Sequence, residues 1–317
     1  MRQANPMKIG ALPSRSGASG GAQSARGLRR DGVWPWIFLF PTLLGVGVFY
    51  VWPVIQTFYF SFTEWGVFGG SKWTGLDNYQ RLYSEPRLGK AMLNTAVYAA
   101  ILLLGVPLAA TLAALINRPG LRFRTLFRMI YFLPVVTLPV AIAIVWRLMF
   151  SGDFGVVNYF LSKFGVPNIY WLSTPGLALV TVGLVGIWLS LGLNMVILSA
   201  GLSSIPADLY EAAELDGASQ WRQFRSITLP LLSPSLFFVT ILTVIAGFKV
   251  FDIVFIMLPP TAPIAQESQT LMYLFYQQGF MANDKGYAAA VGMFTLFVIL
   301  CVTAVQFAGQ KRWVHYG

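Results

Sequence analysis

Six apolar runs, at about 34–62, 91–116, 129–150, 176–199, 234–258 and 286–309, divide this chain of 317 residues. Each is near or above the ~20 residues that a helix needs to cross a bilayer. In lipid every backbone N–H and C=O must be satisfied within the protein, which leaves helices or a closed barrel. The runs are too long and continuous for barrel strands. The expected fold is therefore all-α, a polytopic bundle of six transmembrane helices. The charge content agrees, at 11% against about 25% in a soluble domain.

Lysine and arginine orient the bundle. Arg2, Lys8, Arg15, Arg26, Arg29 and Arg30 precede the first run. Arg118, Arg122, Arg124 and Arg128, then Arg222 and Arg225, then Lys311 and Arg312 fall on the same side. The opposite side holds Lys72, Arg81, Arg87, Lys90, Lys163 and Lys285. The positive-inside rule places both termini in the cytoplasm, together with the loop 200–233. The net charge of +10 is thus a topology signal. Its residues flank spans and form no separate domain, so no nucleic acid is expected and the surrounding partner is membrane lipid. Residues 1–32, rich in Gly, Ser, Ala and Arg without apolar period, read as a disordered cytoplasmic tail. The membrane domain occupies 33–312 and a short tail 313–317. The run from Trp34 is too long for a signal peptide and has no obvious cleavage site. Trp65, Trp73, Tyr79, Tyr170 and Trp171 in the outer loops fit an interfacial belt.

Several chemistries are excluded or disfavoured. Cys301 is the single cysteine, so no intrachain disulfide forms. The single histidine, His315, lies near the C-terminus, which disfavours a histidine-based metal site or catalytic triad in the membrane. No Gly-x-x-x-x-Gly-Lys-Ser/Thr sequence is present, so ATP is not bound by a P-loop in this chain.

The long polar interruption around residues 206–230 is expected to form two short helices hinged at a glycine. Pro206 suits the first turn of the first helix, and Gly217 suits the left-handed conformation that ends it. Ser219 is placed to cap the second helix, and Pro230 marks its end or a break before the next span. Such an elbow at a membrane face is either a docking device or an ordinary amphipathic loop. The ordered residues Glu211-Ala212-Ala213, Asp216-Gly217-Ala218, Phe224, Ile227 and Leu229-Pro230 resemble the EAA loop of ABC importer permeases. Trp146, Gly155, Asn158, Trp171-Leu172, Trp188, Ala200-Gly201-Leu202, Ile205-Pro206, Phe248 to Asp252 and Gly286 to Ala290 are similar to the carbohydrate-uptake branch. Within it, the likeness is to the first of the paired permeases of the maltose and glycerol-phosphate type. One departure is the run Met257 to Pro263, where many members carry Leu-Thr-x-Gly-Gly-Pro.

The resemblance implies that Glu211, Ala212, Ala213, Asp216, Gly217, Ala218 and Phe224 couple the chain to a cytoplasmic ATPase. It implies a heterodimer with a second permease subunit, two ATPase subunits, an extracytoplasmic solute-binding protein and a carbohydrate substrate. The location implied is the bacterial cytoplasmic membrane. No cofactor is expected in this chain; ATP and Mg belong to the ATPase, and the chain itself is not an enzyme. The alternatives are a permease for phosphate, a polyamine or an amino acid, and an ion-coupled secondary transporter. The latter needs carboxylates at mid-membrane, and Asp252 is the one acid assigned to a span.

Charged and polar groups inside spans are costly and so mark function. Lys249 and Asp252, three residues apart on one expected helix face, form either an ion pair or part of the solute pathway. Asn194 joins them as a candidate pathway residue, with Trp188, Phe248 and Phe251 as rings for a sugar face. Asn94 and Asn194 are expected to hydrogen-bond between helices. Arg147 is expected to snorkel. Gly105, Gly183, Gly186, Gly192 and Gly247 are expected to bring helices close.

Overall fold

The computed structural model describes residues 34–65, 70–117 and 121–313, so the tail expected over 1–32 lies outside it, as does 314–317. Contacts divide the chain into two compact units, one ending at Val54 and one beginning at Ile55. The first helix runs as α1 (Trp34–Val46), a π turn at Gly47–Val51, and α2 (Trp52–Phe60). From Pro35 to Phe60 it is long and apolar enough to cross a membrane.

After α2 comes a two-stranded antiparallel ribbon, β1 (Thr63–Trp65) and β2 (Ser71–Trp73), followed by α3 (Asp77–Ser84). The long helix α4 (Pro86–Ile116) leads to α5 (Arg124–Val136), α6 (Pro139–Met149) and short α7 (Val156–Ser162). A second long helix, α8 (Leu177–Ser203), precedes the elbow helices α9 (Ala207–Leu215) and α10 (Gln220–Gln223). Then come α11 (Leu229–Phe248), the short α12 (Asp252–Met257), α13 (Pro263–Glu267) and α14 (Leu271–Tyr276), and α15 (Lys285–Trp313).

Small residues set how these helices meet. A Cβ on Gly105, Gly183, Gly186, Gly192 or Gly247 would fall within 3.0 Å of an atom on a neighbouring helix. The close approach expected of these glycines is present. The same contacts give the directions. Ile101, Gly105 and Asn117 of α4 face Gly183, Ile187 and Ser199 of α8 in the same order, so the two helices run parallel. Gly201 of α8 meets Ser235, while Gly247 meets Ala99 of α4, so α11 runs antiparallel to both. The elbow therefore sits at the end where α4 and α8 finish.

Because α4 and α8 run parallel, the chain between them must traverse the bundle once. It does so in two pieces. Arg128 of α5 donates to Asn117 Oδ1 at 3.0 Å near the elbow end, and α6 lies beyond a break. The single span expected at 129–150 is thus corrected to Thr125–Val136 and Pro139–Met149, bent by 102°. Pro139 has no N–H, and the residue before a proline is driven out of helical conformation. Thr137 and Leu138 accordingly have ψ of 155° and 122°. Thr137 Oγ1 donates to the freed Pro134 carbonyl at 2.9 Å.

The fifth span also departs from expectation. The apolar pattern predicts it at 234–258, yet the helix runs from Gln220 to Phe248. At its start a π turn, Phe224–Thr228, carries the elbow helix directly into the span, with Leu229 N–H donating to Phe224 O. Pro230 therefore neither ends a helix nor breaks one. The wider turn just ahead of it absorbs the register change that its ring and missing N–H demand. Pro234 leaves the Pro230 carbonyl without a backbone donor, and Ser233 Oγ donates to it at 2.6 Å.

Close packing makes one substitution diagnostic. A Cβ at Gly192 would lie 2.4 Å from the Tyr131 carbonyl oxygen, a backbone atom that cannot swing aside. Gly192→Ala is expected to destabilise the bundle by about 1–3 kcal/mol, read as a lower Tm in detergent. Gly89→Ala, with nothing within 4 Å, leaves Tm unchanged or slightly raised.

Candidate functional site

The elbow is built by helix-end chemistry. Gly217 has φ of +70°. Its N–H donates to Glu214 O at 3.0 Å, and Ala218 N–H reaches back to Ala213 O at 2.9 Å. This paired closure ends α9 as a Schellman turn, and it requires a residue at ease in the left-handed region. Ser219 then caps α10, its Oγ accepting from Arg222 N–H at 3.4 Å. Pro206 takes the capping position of α9 rather than its first turn, with ψ of 133°. Tyr210 Oη and Thr228 Oγ1 meet at 3.0 Å and tie α9 to the π turn.

The elbow presents a mixed surface. Glu211, Ala212, Asp216 and Gly217 are exposed, and Ala213, Ala218 and Phe224 are half-buried. Leu215 is 91% exposed and Trp221 69%. Trp221 stacks on Phe224 with centroids 5.8 Å apart. Ala213, Asp216, Ala218, Arg222, Gln223 and Ile227 surround a hollow of about 210 Å³ between the two arms. All seven residues ascribed to coupling thus lie on one small elbow, with large apolar side chains turned outward beside acidic ones. Such an arrangement is suited to docking a protein.

The candidate pathway residues do not converge in the same way. Lys249 and Asp252 do not share a helix face. α11 stops at Phe248, Lys249 caps it, and α12 starts at Asp252 after an irregular Phe251 with φ of −139° and ψ of −64°. Both charges are exposed, and neither forms an ion pair among the described residues. The break is pinned from outside, because Val250 O accepts from Thr270 Oγ1 at 3.2 Å and Leu271 N–H donates to Thr95 Oγ1 at 2.9 Å. Phe251 joins a ring cluster with Phe255 and Tyr276 at 5.1 and 4.8 Å. Phe248 is buried, in the same core cluster as Leu271, Tyr287 and Val291. Asn94 donates to the Glu267 and Gln269 carbonyls at 2.8 and 3.0 Å, joining α4 to the loop before α14. Asn194 is buried in α8, and among the described residues its Nδ2 finds no hydrogen-bond partner, so the interhelical bond expected there is not formed within them.

The structure gathers another group that is scattered in sequence. Trp146 meets Trp188 edge-on at 5.6 Å and stacks on Phe150 at 5.4 Å, and Phe150 packs on Trp171 at 5.6 Å. Trp171 Nε1 donates to Asn158 Oδ1 at 2.8 Å. Asn158 Nδ2 donates to Gly152 O and Ile169 O at 2.8 and 2.9 Å. One buried asparagine therefore ties the turn after α6 to the strap before α8. Trp171 belongs to this scaffold, and Tyr170, 51% exposed, flanks it. Arg147 donates weakly to Ile256 O at 3.5 Å and lines a cleft beside the scaffold. Sequence spacing alone signals none of these contacts.

The open geometry of the break makes a specific expectation. Lys249→Met and Asp252→Leu should have additive effects on stability and transport, with coupling below about 0.5 kcal/mol. A double variant markedly healthier than the sum of its parents would show that the two charges meet.

Comparison with known proteins follows the same lines. The arabinooligosaccharides transport system permease protein AraP of Bacillus subtilis (strain 168) is 32% identical over 274 residues, covering 86% of this chain and 87% of AraP. The lactose transport system permease protein LacF of Rhizobium radiobacter is 32% identical over 282 residues, covering 87% and 94%. A crystal structure of a bacterial ABC transporter involved in the import of the acidic polysaccharide alginate superposes with a TM-score of 0.78 at 25% identity, covering 90% of this chain and 97% of that one. Residues 105–315 match the family described as binding-protein-dependent transport system inner membrane component. With parallel α4 and α8, a divided third span and the glycine-hinged elbow, the chain belongs to that family of transport permeases.

Proposed function

We propose that this chain is one of two permease subunits of an ABC importer for a sugar or oligosaccharide, with a separate ATPase supplying the energy. The carrying observation is the elbow, a Schellman-closed hinge whose exposed Leu215 and Trp221 sit beside Glu211 and Asp216. The relatives' substrates, arabinooligosaccharides, lactose and alginate, support a saccharide cargo.

In this reading the elbow faces the cytoplasm and docks on an ATPase that holds ATP and Mg. The second elbow belongs to a different permease, and a solute-binding protein delivers cargo at the opposite end. ATP-driven closure of two ATPases moves the elbows together. The continuous helix from Gln220 to Phe248 transmits that motion into the bundle, because the π turn keeps the elbow arm and the span as one rod. Glu211 supplies charge-assisted hydrogen bonds across the interface. Trp188, Asn194 and the Lys249–Asp252 break contribute to the pathway. The described spans contain no Asp or Glu, which argues against proton or sodium coupling.

Two experiments test this. In a Cys301→Ser background, cysteines at Ser219 and Ser71 should label from opposite sides of intact cells, Ser71 from outside; labelling of both from outside overturns the orientation. Gly217→Val forces a β-branched residue to φ of +70°, at a cost of about 1–3 kcal/mol. The variant is expected to insert normally yet lose most ATPase co-purification and uptake. Full retention of both would refute the role given to the hinge.

A further inference from the structure

At the end of the bundle opposite the elbow, a cleft of about 480 Å³ opens between α6, the turn 150–154, the strap 170–173 and segment 257–264. That volume lies in the range of about 300–1,000 Å³ typical of pockets for small organic ligands. Its polar lining includes Arg147, Ser151, Asp153, Tyr170 and Ser173. Tyr170 Oη donates to Asp153 Oδ1 at 3.2 Å. Among the described residues, the hydrogen bond of Arg147 is the long contact to Ile256 O. Two opposite charges thus line one cleft without forming an ion pair with each other. Each keeps hydrogen-bonding capacity unused. Beside them the rings of Phe154 and Tyr170 are 75% and 51% exposed.

The wall behind these groups is rigid. Tyr170 lies flat over Gly152, where a Cβ would come within 2.3 Å of the ring. Asn158 holds the backbone on both sides of it. Gly155 is enclosed by the Ser151 and Met149 carbonyls, which would lie 2.3 and 2.6 Å from a Cβ. The polar groups are therefore presented on a fixed frame, which lowers the cost of ordering them on binding.

The chemistry selects a ligand class. A lone arginine beside an aspartate is poor for an anion such as phosphate, since the carboxylate repels it. An apolar solute leaves both charges unused. A vicinal diol fits: one hydroxyl accepts from the guanidinium while its neighbour donates to the carboxylate. The exposed rings offer flat apolar faces to the C–H face of a pyranose. We propose that this cleft is an entry subsite for an uncharged glycosyl unit, with Arg147 and Asp153 bridging adjacent hydroxyls and Tyr170 as the stacking ring. The proposal rests on the saccharide-importer reading and adds a site to it.

The test uses the importer reconstituted in proteoliposomes with its permease partner, ATPase and binding protein, against labelled lactose, maltotriose and arabinotriose. For whichever saccharide is carried, Arg147→Met, Asp153→Leu and Tyr170→Leu at matched membrane levels should each lower maximal uptake about tenfold at saturating binding protein. Tyr170→Phe, which keeps the ring, should retain most of the rate. Saturation-transfer NMR of the complex in nanodiscs, with that saccharide and no binding protein, should show contact that these three variants lose. Wild-type uptake and contact in all three variants would overturn the subsite while leaving the importer reading intact. A defect seen only at low binding-protein concentration and absent at saturation would assign the cleft to protein docking and overturn the proposal. Transport of a non-saccharide solute and of none of the three sugars would overturn the importer reading, and the subsite with it.

Discussion

Backbone hydrogen bonding in an apolar solvent governs most of this structure. An unpaired carbonyl in lipid costs several kcal/mol, so prolines within spans must be accommodated locally. Pro234 leaves the Pro230 carbonyl to Ser233 Oγ, and the helix end at Val136 leaves the Pro134 carbonyl to Thr137 Oγ1. Where Pro230 enters the fifth span, a π turn redistributes the ladder instead. In each case a carbonyl left open near a proline is met by a neighbouring hydroxyl, or the ladder is carried past by a wider turn. The bends and continuities that follow from these repairs decide which segments move as rods and which as hinges.

The elbow shows how such local rules produce a mechanical part. Gly217 closes α9 and turns the chain, Ser219 restarts it, and the π turn joins the restarted helix to the span without a joint. Tyr210 and Thr228 tie α9 directly to that π turn, and α11 makes close contacts with α4 and α8 at Gly247 and Gly201. Packed interfaces of this density move as units rather than deform.

At the other end of the bundle, rigidity has a different origin. Trp146, Phe150, Trp171 and Trp188 form a chain of ring contacts, and Asn158 satisfies backbone groups on two loops at once. These residues come from α6, α7, α8 and the strap between them. Their clustering explains why single tryptophans and an asparagine, far apart along the chain, belong to one pattern. It also separates them from solvent-facing groups such as Arg147, Asp153 and Tyr170, which the scaffold holds in place.

Length and hydropathy were enough to find six apolar segments, because the bilayer thickness imposes a minimum apolar run. The elbow was equally legible, since Gly217, Ser219 and the Glu-Ala-Ala run act through contacts a few residues apart. The breaks were not. Whether Pro139 bends a helix or divides it, and whether Pro230 stops a helix or is passed by a π turn, depends on what the neighbouring helices allow. The same holds for Lys249 and Asp252, whose spacing suits one helix face. Thr270 Oγ1 donates to the Val250 carbonyl while Leu271 N–H donates to Thr95 Oγ1, and the helix ends before the pair is complete. Tertiary structure alone brought Arg147, Asp153 and Tyr170 to one cleft, because their proximity arises from chain crossings that leave no periodic trace in the sequence.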